Sequence, residues 1–152
     1  MTETRMAPGG TVRNYYLAST DDSDVTLTVG TGKLWNIKHI HAELACTATV
    51  GNRVLCCRMT DGTNNLYWSP EVGNTLANQN CALEGYRGAT YTTTAGQFPI
   101  SYGGNTFNVV CRFPLPELWL KAGCTVRIYD RAAIDATHDD MILNLIYIEY
   151  DA

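Results

Sequence analysis

Trp35-Asn36-Ile37-Lys38-His39-Ile40-His41-Ala42-Glu43-Leu44-Ala45, carried on through Val50-Gly51-Asn52 to Arg53-Val54-Leu55-Cys56-Cys57-Arg58-Met59-Thr60, decides the fold class. Both halves are rich in β-branched, aromatic and small residues, the side chains that fit a pleated, half-buried surface. Gly51-Asn52 between them is turn chemistry, because both residues tolerate positive φ, and the reading is a β-hairpin folded at Val50-Gly51-Asn52-Arg53. Within the first half the apolar side changes parity. Trp35 and Ile37 sit at odd positions, whereas Ile40, Ala42 and Leu44 sit at even ones. A strand has a side-chain period of 2, so the switch predicts a bulge or a change of sheet near Lys38-His39. Strands that bend in this way belong to packed pairs of sheets.

Working outward, Val25-Thr26-Leu27-Thr28-Val29 alternates cleanly and closes at Gly30-Thr31-Gly32, which makes it a strand. Leu66-Tyr67-Trp68-Ser69 reads as a short strand that Pro70 ends. The stretch 71–104 is rich in Asn, Thr, Gly and Ala, and reads either as loop-rich decoration or as several short strands, with a helical turn conceivable over 79–84. Strand character returns at 106–113, at 115–123 and at 125–130, and 131–140 is a polar bend. Met141-Ile142-Leu143-Asn144-Leu145-Ile146-Tyr147-Ile148-Glu149-Tyr150 is apolar on both parities. That pattern suits a central strand, or one with a face on the core and the other on a partner subunit. The sum is about seven or eight short strands without a convincing helix, hence an all-β fold: an antiparallel two-sheet sandwich of jelly-roll type. Residues 25–152 form this domain. Residues 1–24, with the breaker cluster Pro8-Gly9-Gly10 and the acidic turn at 21–24, form an extended N-terminal arm that Tyr15 and Tyr16 could anchor.

Composition agrees with a single globule. The chain has 152 residues, 45% hydrophobic and 17% charged, enough to bury roughly 70% of its unfolded surface without a covalent staple. The net charge is −4 with no basic run, which argues against a nucleic-acid partner. No apolar stretch is long enough to span a bilayer. Six cysteines are present with no C-x-x-C spacing, and the opening residues lack the apolar core of a signal peptide. Reduced, small core residues in a protein made in a cytosol are the expectation.

Three pieces carry a resemblance: Trp-x-Ile-x-x-Ile running into Thr-Ala-Thr-Val-Gly-Asn-Arg (35–53), Leu-Pro-x-Leu-x-Leu-x-Ala-Gly ending in Val-Arg-Ile-Tyr-Asp (115–130), and Asp-Asp-Met (139–141) leading into the last strand. Together they resemble small virion proteins of tailed bacteriophages, among them capsid decoration (cement) proteins of jelly-roll fold. The resemblance covers under half of the chain and rests on structural motifs. It implies a homo-oligomer, trimer or dimer, bound to the major capsid protein on the outside of the virion and made in the host cytoplasm, where it locks capsomers together.

Catalytic and metal chemistry find little support. His39, His41 and Glu43 place two imidazoles and a carboxylate on one strand face, similar to the cupin metal motif. Cupins put a longer spacer before the Glu, and here only Ala42 intervenes, so no metal or other cofactor is assigned. There is no Gly-x-Ser-x-Gly elbow and no Gly-rich phosphate cradle, and the protein is read as a non-enzyme. Arginine outnumbers lysine, and its planar fork suits protein interfaces. Tyr15, Tyr16, Arg53, Trp68, Arg112 and Tyr147 are therefore the expected capsid or subunit contacts. A phage tail or host-recognition component, or a carbohydrate- or metal-binding jelly-roll protein, are the alternatives, with Trp68 the residue placed to stack a sugar.

Overall fold

In the computed structural model, which describes residues 9–19, 24–98, 107–135 and 137–152, the chain folds as strands throughout. In order these are β1 (Thr11–Ser19), β2 (Asp24–Thr28), β3 (Lys33–Ala45), β4 (Arg53–Thr60), β5 (Asn65–Trp68), β6 (Val72–Thr75), β7 (Asn80–Tyr86), β8 (Thr92–Phe98), β9 (Phe107–Pro114), β10 (Trp119–Lys121), β11 (Thr125–Asp130) and β12 (Asp140–Asp151). They form a β-sandwich. A seven-stranded sheet runs β1-β12-β3-β7-β9-β8 with β10 also on β3, and a five-stranded sheet runs β2-β11-β4-β5 with β6 also on β4. The pairing is not antiparallel throughout as expected, because β7 and β9 run parallel.

The parity change in the 35–45 stretch is a β-bulge. Along β12 the register passes from Ile146↔His39 to Tyr147↔Ile37 and skips Lys38. One extra residue flips every later side chain, so Trp35 and Ile37 before it and Ile40, Ala42 and Leu44 after it all point into the core. The strand also changes neighbour there: 34–36 pair with β10 and 39–45 with β7.

The expected hairpin is corrected. β3 and β4 lie in different sheets, so 46–52 crosses the sandwich edge instead of reversing within a sheet. A buried ion pair explains the path. Arg53 Nε and Nη2 donate to Asp139 Oδ2 at 2.9 Å and Oδ1 at 3.1 Å, and neither residue is exposed. Arg53 Nη1 donates to the Thr49 and Gly51 carbonyls, and Thr47 N donates to Asp139 Oδ1 at 2.8 Å. The crossing is thus tied to the start of β12. Gly51 is required there because a Cβ would run into Ile134, 2.6 Å from its Cγ2. Next door, Asp135 accepts hydroxyl hydrogen bonds from Thr47 and Thr49.

Strands also form in the expected arm and in the stretch left open between loops and short strands. Thr11–Ser19, inside the expected arm, pairs with β12 over its nine residues. The polar 71–104 stretch holds β6, β7 and β8, and its 79–84 portion is strand instead of helical turn. Asn, Thr and Gly there lack apolar alternation, and backbone pairing with neighbours makes the strands. All six cysteines are free and buried.

Candidate contact site on the outer face of the larger sheet

The bulge at Lys38 turns His39, His41 and Glu43 outward on the larger sheet, and the register sets their neighbours. Across the strands the rows are Asn14–Ile146–His39–Tyr86, Tyr16–Asn144–His41–Glu84–Arg112 and Ala18–Ile142–Glu43–Ala82–Val110. His41 Nε2 and Glu43 Oε1 are 2.9 Å apart, and both side chains are almost wholly buried. Arg112 Nε donates to Glu84 Oε2 at 2.8 Å, and His39 Nε2 stands 3.8 Å from Glu84 Oε1. Burial pushes the His39 pKa down against the pull of Glu84, so the ring is neutral at pH 7. Ala82 and Val110 form a small buried cluster of their own, apart from the main core.

Among the described residues, His39 Nδ1, Glu43 Oε2 and Asn144 Oδ1 on this face are buried without a hydrogen-bond partner. Each orphaned polar group costs about 1–3 kcal/mol. Half-buried Ile142, Ile146 and Ile148 and the exposed Tyr16 (61%) adjoin them. A face that mixes orphaned acceptors with apolar side chains can be completed by a second protein surface that supplies donors and covers the isoleucines.

The metal candidates share the face but do not converge on a point. His41 turns to Glu43 and His39 to Glu84, and the two imidazoles are stacked with centroids 6.5 Å apart. Among the described residues no group of three or more His, Cys, Asp or Glu is arranged to hold a metal. The thiols lie in the core, where burial raises the Cys46 pKa to about 12 and shifts Cys57 and Cys81 upward too. Such groups stay protonated and unreactive.

Of the expected contacts, Tyr16 and Arg112 join this face. Tyr15 points the other way, half-buried against the core. Trp68 is exposed on the smaller sheet. Two expectations are corrected. Arg53 is wholly buried because Asp139 neutralises it, and Tyr147 is largely buried because its ring packs on Trp35 at 4.2 Å; neither stands out from the surface as a contact residue would. Glu84 and Asn144 belong to the site but were not among the expected contacts. Asn144 had a signal, as the one polar interruption in a run of seven apolar residues from Met141 to Ile148. Glu84 had none, since only the β3–β7 register brings it beside His41.

Compared with protein-family models, curated proteins and solved structures, the chain matches none of them.

Proposed function

We propose that this is a non-enzymatic structural protein of a tailed-phage virion: a homo-oligomer that binds the outside of the capsid and cements capsomers together. The observation that carries it is the outer face of the larger sheet, where Glu43 Oε2 and Asn144 Oδ1 lack donors among the described residues, beside the Ile142, Ile146 and Ile148 row. That surface suits burial against protein, and nothing on it pairs a nucleophile with a base. The direction towards a phage shell comes from the three resembling stretches. Two of these, at 35–53 and 139–141, meet through the Arg53–Asp139 pair, so part of the resemblance lies in residues that hold the sandwich closed.

Such a protein works by mass action. Surface buried across a capsomer boundary must be exposed again before the shell opens, and an oligomer that engages several boundaries gains avidity without new contacts. A specific interface of this kind buries about 800 Å² on each partner. The test is the mass of the purified protein in solution, then sedimentation with undecorated capsids. A stable dimer or trimer that co-sediments at saturable stoichiometry, and loses this on Tyr16→Asp while keeping its melting temperature, supports the reading. A monomer that stays in the supernatant refutes it.

A further inference from the structure

Of the seven described arginines, six make ion pairs: Arg13, Arg53, Arg87, Arg112, Arg127 and Arg131. Arg58 makes none with any described residue, and its Nε is buried without a hydrogen-bond partner. It lies on the outer face of the smaller sheet, on the opposite side of the molecule's core from the site above. The β4–β11 register sets it directly opposite Arg127. Like charges opposite one another on neighbouring strands repel. Arg127 is compensated, because its Nε donates to Asp24 Oδ1 at 2.8 Å and its guanidinium lies 4.1 Å over the Tyr129 ring. Among the described residues nothing compensates the Arg58 charge in this way.

On the other side of Arg58 is Trp68, its register partner on β5 and 43% exposed. β5 is an edge strand of the described sheet, and Leu66, at the register shift in the same strand, is 40% exposed. An apolar edge strand beside an unpaired cation is what strand addition by an extended peptide uses: the backbone docks on the edge and the side chains read the neighbours.

We propose that Arg58, Trp68 and the free edge of β5 form a docking site for an extended acidic segment of a partner protein, one carboxylate of which pairs with Arg58. The polar groups around it favour a carboxylate over a neutral sugar, which needs acceptors for its hydroxyls. The nearby Glu71 is already paired with Arg131 at 3.0 Å, and the Ser69 hydroxyl is taken up by Cys57 N and the Pro70 carbonyl. What Arg58 offers is donors only. The site lies on a different sheet from the contact face described above, and the inference does not depend on the capsid reading.

The test uses the full-length ¹⁵N-labelled protein and a blocked peptide of alternating valine and glutamate, its valine–glutamine counterpart, and polygalacturonate as a carboxylate on a polysaccharide. The glutamate peptide is expected to shift the Trp68 indole N–H and the Arg58 Nε–H resonances saturably, and the glutamine peptide to bind about tenfold more weakly or worse. R58Q is expected to lose the same factor with a melting temperature no lower than wild type, since it breaks no ion pair and relieves the repulsion from Arg127, and R58K to regain part of it. W68A, with Arg58 intact, is expected to weaken both peptides. Equal binding of the two peptides, shifts confined to other residues, or no shift at millimolar peptide would overturn the proposal. Tighter binding of polygalacturonate than of the glutamate peptide would overturn it in favour of an acidic glycan.

Discussion

Replacing Asp139 by Asn keeps the size of the side chain and removes its charge. The Arg53 guanidinium then loses the carboxylate that pairs with it, in a place where neither residue has any exposed surface. Removing one partner of a buried ion pair costs about 3–5 kcal/mol, because the remaining charge stays desolvated. Against a total stability of roughly 5–15 kcal/mol this is a large fraction. In a domain of this size it corresponds to a fall in melting temperature of roughly 6–20 °C. The structure also predicts how a second substitution behaves. Arg53→Met with Asp139→Leu removes both charges and should recover part of the loss. Recovery should be incomplete, because the Thr49 and Gly51 carbonyls and Thr47 N lose the partners they have in the native crossing. Urea denaturation of the wild type, Asp139→Asn and the double variant, with m-values compared, is the assay. A single variant within 1 kcal/mol of wild type at unchanged m-value would refute the claim that this pair holds the crossing.

Three other outcomes are expected. Hydrogen bonds from Thr47, Thr49 and His138 hold the Asp135 pKa down at about 2. A carboxylate depressed in the folded state stabilises above its unfolded pKa of about 4, and loses that contribution as pH falls towards 2. Melting temperature should therefore drop through this window in the wild type and less steeply in Asp135→Asn; parallel profiles would exclude the residue. A Cβ at Gly85 would overlap the Phe113 ring, which is wholly buried, so Gly85→Ala should cost about 1–3 kcal/mol by overpacking, read by urea denaturation. Iodoacetamide at pH 8 should label none of the six cysteines in the native protein and all six in denaturant, as counted by mass spectrometry. Rapid labelling of one thiol in the native state would contradict its burial.

The parity of Trp35 and Ile37 against Ile40, Ala42 and Leu44 was enough to place the bulge at Lys38, and to turn His39, His41 and Glu43 to one face. Side-chain alternation is local, and a one-residue insertion leaves a mark in the sequence wherever one face is buried. The terminal strand was legible in the same way: its odd residues Met141, Leu143, Leu145 and Tyr147 are buried, and its even residues Ile142, Asn144, Ile146 and Ile148 are half-covered. The strands of the polar 71–104 stretch were only one of two open readings. Asn, Thr and Gly carry no alternation there, and their extended state is imposed by neighbouring backbones.

Sequence by itself determined that this chain is all-β and where its parity breaks, because both depend on the spacing of apolar side chains along a few consecutive residues; the expectation of reduced core cysteines came instead from their count and spacing. Tertiary structure decided that 46–52 crosses between sheets instead of closing a hairpin, that Arg53 is buried against Asp139 86 residues away, that Glu84 stands beside His41, and that Arg58 faces Arg127 with no acid to pair among the described residues. Backbone hydrogen bonds are the same for every residue but proline, so strand partners are chosen by packing and charge across distant parts of the chain, and alternation in one stretch carries no record of which strand will lie alongside it.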